Sequence, residues 1–237
     1  MANCEWHEFA SSEALARNLS ETVAKKLALA VKERGHAAIA VSGGRTPAQF
    51  FDQLSRCDIP WDKVTVTLVD ERFVPADSPR SNARLVARHL LQNKAARAAF
   101  VGLYQPADEM EEAASQSANA IAALPRPLDV VVLGMGNDRH TASFFPDAPT
   151  IEALLEPTEG PDVLPVASKA AGEPRLTLSM NRLAGARFLA VHIEGADKKE
   201  TLETALSVPP GPASPIGAVL AETKEPAHIF WAPAGQT

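Results

Sequence analysis

Cysteine is scarce in this sequence: Cys4 and Cys57 are the two among 237 residues. Two such distant thiols exclude a disulfide framework and a closely spaced thiolate metal site, so free thiols in a reducing compartment are expected. Long apolar runs are missing as well. No stretch approaches the roughly 20 apolar residues that a membrane-spanning helix needs. Basic charge is in deficit, with 23 Lys and Arg against 29 Asp and Glu, a net charge of -6. That balance argues against a general nucleic-acid binder, which presents a basic face, but it permits a small local anion site. The opening residues, MANCEWHEFA, are acidic where a secretory signal has a basic stretch and an apolar core. The expected location is therefore cytoplasmic, with no membrane partner. Three nucleotide or nucleophile signatures are also absent: Gly-Lys-Ser/Thr of a phosphate loop, GxGxxG, and the GxSxG elbow.

What remains is an ordinary globular composition, 46% hydrophobic and 22% charged. A chain of this length is expected to bury roughly 70% of the surface its unfolded form exposes. The length allows one large domain or two small ones. Residues 11 to 34 predict a helix, with Ser12 as a cap, Leu15, Leu19, Val23, Leu27 and Val31 recurring every fourth position, and Gly35 as a stop. Residues 36 to 41 predict a buried strand that runs into SGGRTP, 42 to 47. A helix carrying Phe50, Phe51 and Leu54 follows from about Pro47. VTVTLV, 64 to 69, predicts a strand ending on Asp70, Glu71 and Arg72. Helices are expected over 82 to 94 and 107 to 123, with a short strand over 100 to 103. DVVVLGMG, 129 to 136, is apolar without alternation, the pattern of a strand covered on both faces in a parallel sheet.

The last third is less regular. Residues 157 to 174 predict loop, followed by a strand from Arg175, a helix end near 183 to 186, a strand over 188 to 193 and a helix over 197 to 206. Residues 208 to 215 are proline-rich and predict loop. The alternation of strands and helices points to an α/β fold, layered around a mostly parallel sheet.

In open α/β sheets the ligand crevice lies beyond the carboxyl ends of the strands. Three polar clusters sit at such ends. In the first, Gly43 and Gly44 let backbone N–H groups turn toward one anion, Ser42 and Thr46 add hydroxyls, and Arg45 adds a cation. A tight turn capped by Thr46 is the plainer alternative. In the second, Asp70 can orient a neighbour while Arg72 offsets negative charge, or the cluster simply ends a strand. In the third, His140 follows a glycine-rich strand exit. Its reference pKa of about 6.5 suits it to take a proton from water. Asp138 can orient His140 or cap the following segment. Arg175 and Lys198 open a late strand and a late helix, where they either complete an anion pocket or remain solvated cations. The histidines at 7, 36, 89, 140, 192 and 228 show no compact ligand spacing, so no metal is expected.

Taken in order, SGGRTP, VDERFVP, SNARLVARHLL and LGMGNDRHTASFFP resemble the 6-phosphogluconolactonase family, as do the later RLTLS and EGADKKE. The resemblance implies a modified doubly wound three-layer sandwich. It implies a single catalytic domain over 1–237, with room for a small C-terminal elaboration. The implied activity is hydrolysis of 6-phospho-D-glucono-1,5-lactone to 6-phosphogluconate in the oxidative pentose phosphate pathway, with no cofactor and no metal. His140 becomes the general base, with Asp70 and Arg72 beside it in the catalytic set. Ser42, Gly43, Gly44, Arg45, Thr46, Arg175 and Lys198 become substrate and phosphate contacts. The partner is a small phosphosugar lactone, not nucleic acid. A monomer is expected, with a dimer as the alternative.

One position departs from the family pattern. Arg139 stands where Gly-Met-Gly-x-Asp-Gly-His has its last glycine, and it is expected to strain the turn, crowd the pocket or add a cation. A glucosamine-6-phosphate deaminase-like enzyme is the nearest alternative. Phe145, however, stands where that pattern places a ring-opening glutamate. A non-catalytic sugar-phosphate binder is the third reading, supported by Arg139 alone.

Overall fold

The computed structural model describes residues 2–157 and 159–235. Met1, Thr158, Gln236 and Thr237, which belong to the opening segment, the 157 to 174 loop and the end of the expected domain, lie outside the described residues. In chain order the elements are β1 (Cys4–Glu8), α1 (Ser12–Arg34), β2 (Ala37–Val41), α2 (Ala48–Leu54), β3 (Val64–Leu68) and β4 (Asp70–Arg72). Next come α3 (Asn82–His89), β5 (Ala99–Val101), α4 (Met110–Ile121), β6 (Val130–Leu133), α5 (Ile151–Leu155) and β7 (Val163–Val166). The chain closes with β8 (Arg175–Leu178), α6 (Met180–Ala184), β9 (Leu189–Glu194), α7 (Ala196–Ser207), α8 (Pro215–Ala221) and β10 (Ala227–Ala232).

Seven strands form one sheet in the order β1-β10-β9-β6-β2-β3-β5, and every pairing in it is parallel. All residues of β2 and β6 are buried, as their unbroken apolar runs require. Helix α1 lays Leu15, Leu19, Val23 and Leu27 against this core, each fully buried. Burial of each such side chain stabilises the fold by about 1.5–3 kcal/mol. The helix is capped by Ser11, whose Oγ accepts from the Ala14 N–H at 3.2 Å. Ser12, the expected cap, instead donates to Glu194 at 2.5 Å. Gly35 ends the helix at φ 79°, a left-handed conformation in which glycine avoids the Cβ clash. The parallel sheet with flanking helices is the α/β layering that the alternation predicted, and it is consistent with the doubly wound sandwich that the resemblance implied.

Five helices and strands outside the expected ones appear: β1, α5, β7, α8 and β10. Strand β7 falls inside the segment expected to be loop. It carries Pro165, which fits because β7 is an edge strand. Pro215 opens α8 at the position where its missing N–H is harmless. Helix α3 stops at His89, short of the expected residue 94. The chain turns there, and Asn93 takes a positive φ of 50°, which a continuing helix cannot accommodate. Asp70–Arg72 does not simply end β3. It forms β4 of a second, antiparallel sheet in the order β4-β8-β7.

The connection from β2 runs outward to β3 and β5, while β6 returns on the other side of β2. The β2/β6 boundary is therefore the topological switch point. Both ends of this boundary are pinned. Asp129 accepts from the Ala38 N–H at 2.8 Å at one end. At the other, Ser42 Oγ donates to the Val132 carbonyl and accepts from the Gly134 N–H, both at 2.9 Å.

Candidate active site

A cavity of about 400 Å³ opens beyond the switch point, between the two sheets. Ten of the sequence-predicted residues line it: Ser42, Gly43, Gly44, Arg45, Thr46, Asp70, Arg72, His140, Arg175 and Lys198. The eleventh, Arg139, is not among the lining residues.

The SGGRTP segment needs each glycine for a different reason. A Cβ on Gly43 would overlap the Asn82 side chain, which packs directly against the backbone there. Gly44 has a φ of 97°, outside the range that suits L side chains. Helix α2, which follows, has only seven residues, and no side chain caps it. An anion at this loop would therefore meet side-chain cations and loop N–H groups more than a helix dipole.

His140 is held by the turn between β6 and α5. Its Nδ1 lies 2.5 Å from Asp138 Oδ1. Gly136 makes the geometry possible, because a Cβ at that position would strike both the His140 ring and Asp138. The Phe145 ring supports the imidazole from the side, with centroids 4.3 Å apart. Thr141 Oγ1 donates to the Gly134 carbonyl at 2.8 Å, and Ser143 Oγ donates to Asp70 Oδ2 at 2.7 Å. The turn is thus tied to both sheets. It also holds two of the three non-glycine positive φ angles among the described residues, Arg139 at 68° and Ala142 at 47°. Arg139 does strain the turn, as expected, but it does so outside the cavity. Burial raises the Asp138 carboxyl, but the hydrogen bonds and charge of His140 outweigh that and hold it below the usual range.

Asp70 is placed differently from His140's immediate partner. It is buried, holds Ser143, and faces Arg175 Nη1 at 3.9 Å. Arg72 and Arg175 are direct register partners across β4 and β8. Like charges opposite one another on antiparallel strands repel. Burial lowers the Arg175 pKa, Asp70 opposes that shift, and Arg72 adds to it. Arg72 Nη1 donates to the Arg80 carbonyl at 2.6 Å, and Arg175 Nη2 to the Ala171 carbonyl at 3.0 Å. Four buried side-chain nitrogens among the described residues have no hydrogen-bond partner, and three belong to this cavity: Arg72 Nε, Arg175 Nε and His192 Nδ1.

The neighbouring lysines separate cleanly. Lys198 Nζ donates to the Met135 carbonyl at 2.9 Å, which brings it to the cavity. Lys199 turns away to Glu8 at 2.6 Å and lies over the Trp231 ring at 4.5 Å. Burial lowers the Lys198 pKa, while Asp197 and Asp138 work against that.

Sequence reasoning missed three polar lining residues, Asn82, His192 and Glu194. Asn82 Nδ2 donates to the Asp70 carbonyl at 2.9 Å, joining α3 to β4. Glu71 is fully buried and accepts from Ser81 Oγ and from the N–H groups of Arg72, Asn82 and Ala83, so it caps α3. His192 and Glu194 lie two apart on β9 and share a face, with Nε2 and Oε1 3.0 Å apart. Their signal was hidden in an apolar strand pattern.

The family model for glucosamine-6-phosphate isomerases/6-phosphogluconolactonase matches residues 10–231. This chain belongs to that family. A 6-phosphogluconolactonase from Mesorhizobium japonicum is 54% identical over 98% of this chain and 97% of its own. Another from Rhizobium meliloti is 50% identical over 96% of this chain and 98% of its own. The crystal structure of a 6-phosphogluconolactonase from Shewanella baltica superimposes with a TM-score of 0.93 at 40% identity, covering 97% of both chains. Each of these lactonases is matched along nearly its whole length.

Proposed function

We infer that the protein hydrolyses 6-phospho-D-glucono-1,5-lactone to 6-phosphogluconate, the second step of the oxidative pentose phosphate pathway. The observation that carries this reading is one cavity lined both by His140, whose Nδ1 pairs with Asp138, and by Arg72 and Arg175, register partners across β4 and β8. The first arrangement suits proton transfer and the second suits a dianion.

Asp138 accepts from Nδ1–H, which leaves Nε2 of His140 as the free base. Nε2 takes one proton from water while the water oxygen bonds to the lactone carbonyl carbon. Charge develops on the carbonyl oxygen, where Lys198 or the loop N–H groups stabilise it. The bond from that carbon to the ring oxygen then breaks. The imidazolium returns its proton to the departing oxygen, which becomes a hydroxyl. A lactone is an activated ester, so no covalent nucleophile is required. Arg72 and Arg175 anchor the remote phosphate, with Arg45, Thr46 and the Gly43–Gly44 backbone at the rim. Binding energy at the phosphate then fixes the ring against His140.

Deamination fits the site less well. Phe145, buried and packed on the His140 ring, occupies the place where the deaminase pattern has its carboxylate. A binding-only role draws no direct ligand contact from Arg139, which is not among the residues that line the cavity.

The test is hydrolysis of freshly generated lactone at fixed pH, corrected for spontaneous opening. Enzyme-dependent turnover is expected. No excess over the spontaneous rate overturns the assignment.

A further inference from the structure

At the far edge of the large sheet, away from the cavity, three metal-ligating side chains meet. Glu5 and His7 lie two apart on β1, so both point to one face. His228, on β10, is the register partner of Glu5 and joins them on that face. One ligand atom from each falls within 4.8 Å of the other two. His7 and His228 are 221 positions apart in sequence, so spacing along the chain could not reveal the cluster.

The separations suit a metal. His7 Nε2 and His228 Nδ1 are 3.0 Å apart, and Glu5 Oε2 is 3.4 Å from His228 Nδ1. Zinc bonds of about 2.0–2.1 Å at a tetrahedral angle place two donor atoms roughly 3.3 Å apart. The carboxylate is already at that separation, and the two rings need to part by a few tenths of an ångström. Aromatic packing fixes the rings in place. His7 stacks on Phe230 with centroids 4.8 Å apart, and His228 stacks on Phe188 at 4.7 Å. Glu5 is the exposed member, so the cluster opens to solvent on that side. Two imidazoles and one carboxylate favour a borderline divalent transition ion over magnesium or calcium, which prefer all-oxygen shells.

We propose that Glu5, His7 and His228 form a binding site for a divalent transition ion such as zinc, which ties edge strand β1 to β10. The fourth position faces water. Strand β9 lies between β10 and β6, so the site, midway between β1 and β10, is three strand spacings, roughly 15 Å, from the switch point. The ion is not needed for the chemistry at His140.

Titration calorimetry of the untagged, chelator-stripped protein with zinc chloride tests the proposal, with magnesium chloride as the control. One zinc per chain is expected, with no magnesium heat. The His7→Gln/His228→Gln double variant should weaken zinc affinity at least tenfold while lactone turnover stays unchanged. Glu5→Gln, a surface change that leaves the packed rings alone, should weaken it by a smaller factor and serves if the double variant folds poorly. Absence of zinc binding by the wild type, or unchanged affinity in Glu5→Gln and the double variant, overturns the proposal.

Discussion

Strands β2 and β4 lie close in the chain yet are built from opposite materials. Strand β2 is five buried apolar residues, Ala37 to Val41, flanked by β3 and β6. Strand β4 is Asp70, Glu71 and Arg72, paired with a β8 that opens on the buried Arg175. The large sheet carries few polar obligations beyond its own ladder. The small sheet buries carboxylates and guanidinium groups, sets two cations opposite each other and leaves their Nε atoms without partners. Buried charge of this kind contributes little net stability and often less than an apolar replacement. The difference teaches a division of emphasis: the parallel sheet buries apolar side chains almost throughout, while the antiparallel sheet also holds charged side chains at the cavity.

Substitutions in the two sheets should therefore separate stability from activity. The largest effect is expected from Ile39→Ala in β2. Its cavity should cost about 2–5 kcal/mol in denaturant unfolding, with turnover per folded molecule unchanged. A comparable loss of turnover in the folded fraction would break the division. Arg175→Met in β8 should do the reverse. KM for the lactone should rise about 100-fold through lost charge-assisted bonds to phosphate, while the melting temperature holds or rises. A sharp fall in melting temperature would show that Arg175 supports the fold instead.

Asp138→Asn is expected to lower kcat by about 10- to 100-fold, since a charged hydrogen bond contributes roughly 1.5–3 kcal/mol. The affinity for 6-phosphogluconate, measured by calorimetry, should change little. The smallest effect belongs to Arg139→Gly. Relief of its positive φ, offset in part by the greater chain entropy of glycine, should stabilise the protein by about 0.5–1 kcal/mol. Turnover should stay within about twofold of the wild type; this is the outcome expected for a side chain outside the cavity lining.

The same contrast governs how much could be read from the sequence. Strands β2, β3, β6 and β9 are legible because an unbroken apolar run has few other destinations in an α/β chain. Edge strand β1 is not, since Cys4–Glu8 mixes partly buried and exposed residues without regular alternation and carries little apolar signal. Strand β7 is masked by Pro165, and α8 by the prolines before it. The cavity residues at strand ends were legible as polar clusters and as family motifs. Their pairings were less so. Asp138, two residues from His140, was one of two readings, and the structure selects it as the imidazole's partner. Asp70 was expected beside His140, yet its carboxylate turns to Ser143 and Arg175. His192, Glu194 and Asn82 depend on contacts between distant segments, which local patterns do not encode.

In the proposed mechanism His140 moves the proton while the arginine pair holds the phosphate. The most direct measurement compares His140→Asn with the wild type in two assays, lactone turnover corrected for spontaneous opening and affinity for 6-phosphogluconate. Loss of general-base catalysis should reduce kcat about 10²- to 10⁴-fold, with affinity for the phosphorylated product nearly unchanged. Turnover equal to the wild type would contradict His140 as the base, and a parallel collapse of affinity would contradict the separation of the two roles.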